Sequence, residues 1–140
     1  MNFEPLTETH INAAQELWRS VPGLGLSEAD EAGPLAVFFA RNPRLSWGAF
    51  ADDRLIATVL VGHDGRRGFL YHLAVAEEFR GQGLSTALMT RALDGLVRCG
   101  INKVHVFVLA DNSVGLVFWA GASRQGWRRR NDVLVFSRDL

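Results

Sequence analysis

Residues 69–85 read Phe-Leu-Tyr-His-Leu-Ala-Val-Ala-Glu-Glu-Phe-Arg-Gly-Gln-Gly-Leu-Ser, and within them the chain changes from one backbone period to another. Phe69 to Ala76 is apolar almost throughout, which suits a strand covered on both faces. After Arg80-Gly81-Gln82-Gly83, Leu84, Leu88, Ala92 and Leu96 recur every four residues with Met89, Leu93 and Val97 beside them, so a helix is predicted from about Leu84 to Cys99. Gly100 supplies a left-handed stop. Val104, Val106 and Val108 then alternate with Lys103, His105 and Phe107, the mark of a strand over Lys103 to Leu109. A strand, a helix and a second strand in this order form a right-handed parallel crossover.

The turn between strand and helix carries a chemical signal. Gly81 and Gly83 have no Cβ to hold an anion away from the main chain, and a helix starting at Leu84 aims unpaired N–H groups at the same space. The aligned peptide dipoles add roughly half a positive charge there. Together these features make a phosphate cradle; the alternative is that the glycines only permit a tight turn and close packing. A Walker loop is absent, and a dinucleotide fingerprint would place glycine where Thr86 stands. The cradle therefore suits a different phosphate ligand.

Upstream, Asn2 to Leu6 is short and extended, and Thr7 caps a helix running to about Ser20 whose stripe is Ile11, Ala14, Leu17 and Trp18. Val21 to Leu26 is irregular. Ser27 caps a second helix through about Ala40, with a kink or break expected at Pro34. Ser46 to Ala51 and Arg54 to Gly62 read as strands around the Asp52-Asp53 turn, and His63 to Gly68 reads as the next hairpin connection. Downstream, Asn112 caps a short helix through Trp119, and Trp127 to Arg130 pairs with Val133 to Ser137 across Asn131-Asp132 as a closing hairpin. The expected fold is α/β (α+β): a mixed, mostly antiparallel central sheet of about six to seven strands flanked by about four helices, in one domain over residues 1–140.

With 48% hydrophobic and 21% charged residues the chain is globular. Fifteen basic and fifteen acidic side chains cancel, so no whole-molecule field draws it to nucleic acid or to an anionic membrane. The only cysteine, Cys99, has no partner for a disulfide or a structural zinc site, which points to a reducing, cytoplasmic setting and no metal. Met1 to Ser20 carries acids and no continuous apolar stretch, so neither a secretory signal nor an anchor is expected there.

The stretch from Phe69 to Ser85 resembles the strand, loop and helix that bind acetyl-coenzyme A in the GCN5-related N-acetyltransferase (GNAT) superfamily. The family loop is Arg/Gln-x-x-Gly-x-Gly/Ala, and Arg80-x-x-Gly83-x-Ser85 matches apart from its last position. The likeness continues through Gly100-Ile101-Asn102-Lys103, Asn112 and Phe118-Trp119, where the family often has Phe-Tyr, and Gly62 to Gly68 is similar to the connection in small single-domain bacterial members. It covers about Ser46 to Leu140, although Ala120 to Gln125 is longer than the family's usual spacing. The resemblance implies that loop amides of Gln82, Gly83, Leu84 and Ser85, with Arg80 and Gly81 adjoining, bind the coenzyme's pyrophosphate. It implies further that Leu73, Ala74 and Val75 lie along the pantetheine arm, and that Asn112 and Phe118 border the coenzyme. For Asn112 a plain helix cap is an equal reading, and for Phe118 so is helix packing.

Acetyl transfer to an amine needs a neutral nucleophile, a donor for the tetrahedral oxyanion and a proton for the departing thiolate. Family members commonly place a tyrosine as the acid where Trp119 stands, and an indole is no acid at neutral pH. Tyr71, the only tyrosine, and His72 lie on the central strand, and pleat alternation sends them to opposite faces, so at most one faces the acceptor. His72 carries an imidazole, the side chain most often used as a general base, or else has a structural place in the sheet. His63 and Asp64 read either as turn formers or as a base with its orienter, His105 as a sheet-face residue, and Arg128 to Arg130 as charge guarding an edge. Glu28, Asp30 and Glu31 either hold a cationic amine or form a solvated face.

The resemblance implies an acetyl-CoA-dependent N-acetyltransferase with a small-molecule or peptide amine as acceptor. The alternatives are a non-catalytic acyl-CoA-binding module, favoured by Trp119, and a protein-interaction domain. Edge strands and the closing hairpin leave a homodimer open.

Overall fold

Trp47–Ala51 (β2), Arg54–His63 (β3) and Gly68–Val75 (β4) form an antiparallel meander, with Asn2–Pro5 (β1) antiparallel to β2 and Val104–Val106 (β5) parallel to β4. The sheet order is β1-β2-β3-β4-β5, five strands against the six to seven expected. These elements come from a computed structural model that describes residues 1–140 and divides into two compact units, Met1–Phe107 and Val108–Leu140.

In the first unit, the helices Ile11–Ser20 (α1), Ala32–Arg41 (α2) and Leu84–Arg98 (α3) cover the two faces of the sheet. The Trp18 indole of α1 reaches Thr58 on β3, and a Cβ built on Gly62 of β3 would meet Phe38 of α2. Gly68 on β4 faces the other way, and its Cβ would meet Leu96 of α3. The expected stripes are the ones buried: Ile11, Ala14, Leu17 and Trp18 on α1, and Leu84, Leu88, Ala92 and Leu96 on α3. Gly100, at φ +81°, ends α3 as read, with Ile101 N–H donating to Leu96 O at 3.0 Å and Gly100 N–H to Val97 O at 2.9 Å.

Three expectations are corrected. The second helix is not continuous from Ser27. Ser27 caps a single 3-10 turn, Glu28–Asp30, Glu31 is extended, and α2 begins afresh at Ala32. Pro34 then sits in the first turn of α2, where its missing N–H breaks no bond and where its ring bars helical continuation from upstream, so no kink arises. The last strand of the crossover ends at Val106 and not at Leu109, because β4 offers it pairing only over Gly68 to Leu70.

In the second unit, Ser113–Gly121 (α4) is capped by Asn112, whose Oδ1 accepts from Gly115 N–H at 3.0 Å. The closing hairpin is absent: residues 127–140 form no strand, and Arg130 and Asp132 instead join in a two-toothed ion pair at 2.8 Å across the turn. An isolated hairpin is marginal unless it adds to a sheet, and this unit holds no strand for Val133 to Phe136 to join. No helix is long and apolar enough to cross a membrane.

Candidate active site

The turn that leads into α3 is built on two left-handed glycines, Gly81 at φ +77° and Gly83 at φ +79°. A Cβ on either would meet nothing within 4 Å, so the space over the turn is open and close packing does not explain the glycines. Gly83 is the N-cap of α3, yet it has no side chain to satisfy the first amides. The first helical bond runs from Ala87 N–H to Gly83 O at 3.1 Å, and the N–H groups of Gly83, Leu84, Ser85 and Thr86 have no partner in the chain. Gly81, Gln82 and Gly83 are exposed and Leu84 is buried, so the helix start is anchored while the amides look outward. Arg80 joins turn to strand, its Nε donating to Val75 O at 3.3 Å.

The strand before the turn opens toward the same region. β4 pairs with β5 only as far as Leu70 opposite Val106, and from Tyr71 onward its outer edge has no partner strand. Ala76 N–H donates to Ile56 O of β3 at 2.8 Å, so the alternating main-chain groups of Val75 face the free edge. A bulge lies next to the parting. Leu60 pairs with Tyr71 and Thr58 with Ala74, which sets two residues of β4, His72 and Leu73, opposite Val59 alone.

His72 is the residue that bends, at φ +49°, a conformation that costs a residue with a Cβ roughly 1–2 kcal/mol. Three neighbours hold it there. Thr58, fully buried, donates to His72 O at 2.9 Å and accepts from the buried Trp18 indole N–H at 2.9 Å. The His72 ring lies against the Trp18 ring with centroids 4.7 Å apart. Its Nε2 lies 2.7 Å from Asp30 Oδ1, with only 11% and 13% of the two side chains exposed. Asp30 is fixed in turn: Ser27 N–H donates to its Oδ2 at 2.9 Å, and Gln15 Nε2 donates to its main-chain O at 2.9 Å. On the other side of Asp30 a cleft of about 210 Å³ opens between Trp18, Leu26, Ser27 and Glu31.

The bulge overturns the expectation that Tyr71 and His72 face opposite ways. Tyr71 packs edge-on against Phe38 of α2, centroids 6.2 Å apart, while His72 meets Trp18 of α1, so both side chains lie on the α1–α2 face. A left-handed residue cancels the alternation between successive side chains. Burial pushes the Tyr71 phenol up from its ordinary range near 10. His63 and Asp64 are turn formers: Gly65 N–H donates to His63 Nδ1 at 2.9 Å, and Arg66 and Arg67 N–H both donate to Asp64 Oδ1 at 2.8 Å, which holds that carboxyl below its usual value.

The first unit thus brings together Tyr71, His72, Leu73, Ala74 and Val75 on the parted strand and Arg80, Gly81, Gln82, Gly83, Leu84 and Ser85 on the turn. Asn112, Phe118 and Trp119 belong to the second unit. There Asn112 caps α4, and the Trp119 ring meets Phe118 at 5.1 Å and Trp127 at 4.7 Å. Sequence reasoning missed the link between His72 and Asp30, which are 42 positions apart. It also missed Thr58, although a lone hydroxyl inside the apolar run Leu55 to Val61 was the available signal.

The model of the acetyltransferase (GNAT) family matches residues 11–119, well over half of the chain. A curated acetyltransferase of Pectobacterium atrosepticum is 37% identical over 71 residues, which cover 51% of this chain and about half, 50%, of that relative. Among solved structures, the aminoglycoside 6′-N-acetyltransferase AAC(6′)-Ig of Acinetobacter haemolyticus matches with a TM-score of 0.74 at 20% identity, covering 100% of this chain and 99% of that one. The PaiA N-acetyltransferase of Thermoplasma acidophilum, solved in complex with coenzyme A, matches with a TM-score of 0.70 at 21% identity over 86% of each chain. At these identities the solved structures establish the fold.

Proposed function

The chain belongs to the acetyltransferase (GNAT) family, and on that premise we propose that it is an acetyl-CoA-dependent N-acetyltransferase acting on a primary amine by direct attack within a ternary complex. The observation that carries the reading is the open, left-handed glycine turn with the unpaired N–H groups of Gly83, Leu84, Ser85 and Thr86 at the start of α3. A diphosphate is the ligand such a site suits, since it accepts several amide hydrogens at once and its charge complements the helix dipole. The free edge of β4 from Tyr71 to Val75 suits the amide-bearing pantetheine arm, which can pair with main chain as an added strand would. Ser85, where the family loop ends in Gly or Ala, leaves the turn open and adds a hydroxyl donor.

In this arrangement the amine nitrogen attacks the thioester carbonyl carbon, and the C–S bond breaks as the tetrahedral intermediate collapses. A main-chain N–H at the bulge is the group available to the oxyanion. The acceptor is a small-molecule or peptide amine. Trp119, in the place of a family tyrosine, supplies no proton, so the thiolate leaves as such or is protonated from solvent.

The test is thermal. Acetyl-CoA at a hundred times its dissociation constant should stabilise the folded chain by about 2.7 kcal/mol, a clear rise in melting temperature. No rise at millimolar acetyl-CoA removes the reading. Thiol release over a panel of chemically diverse amines then separates an enzyme from a module that only binds the coenzyme.

A further inference from the structure

We propose that Asp30 and His72 act as a positioning residue and a catalytic base, with Asp30 fixing His72 as the Nε2–H tautomer so that its Nδ1 lone pair is bare for the proton of the acceptor ammonium. The proposal rests on the acetyltransferase reading and adds a group that the family match does not assign.

The geometry argues for it in steps. Nε2 of His72 lies 2.7 Å from Asp30 Oδ1, an oxygen of a carboxylate whose other oxygen is already engaged by Ser27 N–H. A carboxylate oxygen only accepts, so the ring nitrogen facing it carries the hydrogen and Nδ1 of the neutral ring does not. No group in the chain bonds Nδ1. Nor is Nδ1 shut away, because the only buried side-chain polar atom without a partner is Trp47 Nε1. Trp18 packs against the ring at a tilt, centroids 4.7 Å apart, and Thr58 bonds the main-chain carbonyl of His72. A bulge in this position needs only a residue that accepts a left-handed backbone, for which glycine or asparagine is the unstrained choice. A histidine is strained there, and strain held in place by several partners is the pattern of a functional group. Finally, His72 stands two positions after Leu70, the last residue of β4 that pairs with β5.

The protons balance. The acceptor R–NH3⁺ gives one proton to Nδ1, and Asp30 stabilises the imidazolium that forms. The freed amine bonds to the acetyl carbon, and the C–S bond breaks with its electron pair leaving on sulfur. The proton still in excess on nitrogen passes through solvent to the thiolate, and His72 returns its own proton to solvent.

Three readouts test the pair on the full chain. In long-range ¹⁵N–¹H spectra, with His72 assigned by loss of its signals in His72→Gln, the neutral ring should show a protonated Nε2 and a bare Nδ1, and Asp30→Ala should mix the tautomers. With the best amine from the thiol-release panel, Asp30→Asn should lower kcat about 10- to 100-fold and His72→Gln about 100-fold or more, with KM for acetyl-CoA within twofold of wild type. Imidazole in the buffer should restore part of the rate to His72→Ala. A bare Nε2 in the wild-type chain overturns the proposal, as does a kcat within threefold of wild type in His72→Gln. If the wild-type chain binds no acetyl-CoA, it is the acetyltransferase reading that falls, and the proposed base falls with it; binding with normal turnover in the variants overturns the pair alone.

Discussion

Replacing Thr58 by valine removes one hydroxyl and very little else. The two side chains have nearly the same shape, both suit a central strand, and Thr58 is fully buried at 0% exposure, so no surface changes. What changes is hydrogen bonding. The hydroxyl accepts from the Trp18 indole at 2.9 Å and donates to His72 O at 2.9 Å. Trp18 is itself only 1% exposed, so its N–H is left in a dry place without a partner. One buried, unsatisfied donor costs about 1–3 kcal/mol, and the half-buried carbonyl adds about 1 kcal/mol, for a total of about 2–4 kcal/mol. At the average unfolding entropy per residue, a chain of this size loses roughly 3–4 °C of melting temperature per kcal/mol, so Thr58→Val should melt about 6–15 °C lower. Because the same hydroxyl holds the left-handed carbonyl of His72, kcat should fall with stability while acetyl-CoA affinity stays constant. The assay is denaturant and thermal unfolding of both chains, repeated for Trp18→Phe and for the double variant. The double variant has no orphaned indole N–H, so its loss should be smaller than the sum of the singles by about 1 kcal/mol or more. A Thr58→Val chain that melts within about 2 °C of wild type would refute the relay from Trp18 to His72.

Other perturbations give separate checks. Gly83→Asp has room for its side chain but sits at φ +79°, so calorimetry should show a folded chain, about 1 kcal/mol less stable, whose affinity for acetyl-CoA is at least about tenfold weaker through charge repulsion. Gly68→Ala puts a methyl 2.7 Å from Leu96 Cδ1 in a packed face, and unfolding should show a loss of about 1–3 kcal/mol. Tyr71 is the only tyrosine, so ultraviolet absorbance follows its phenol alone, and burial against Phe38 should place the midpoint above 10. A raised phenol stays neutral and costs nothing below its unfolded value near 10. Stability should then decline as pH rises from about 10 through the folded value, and Phe38→Ala should make that decline smaller by lowering the folded value toward the unfolded one.

The crossover and its glycine turn were legible from sequence because both are local. A four-residue apolar period, two glycines and a stop at Gly100 need no knowledge of what lies across the sheet. The α1 stripe was legible for the same reason. The bulge at His72 was not, since it is a mismatch of register between β4 and β3 and leaves no mark on either strand alone except the hydroxyl at Thr58. The pairing of Asp30 with His72 depends on the break at Glu31, which keeps the Ser27–Asp30 turn separate from α2 and lets the carboxylate bond the ring. The hairpin after Trp127 was expected from local alternation, and alternation does not supply the neighbouring strand that a hairpin requires.

The account turns on main-chain hydrogens at the start of α3 reaching a diphosphate. Backbone ¹⁵N–¹H spectra of the full chain titrated with coenzyme A observe those hydrogens one by one. The amides of Gly83, Leu84, Ser85 and Thr86 should move downfield together, saturating at the same concentration, with Tyr71 to Val75 shifting beside them. If those amides stay in place while coenzyme A binds elsewhere, or fails to bind at all, the central claim is contradicted.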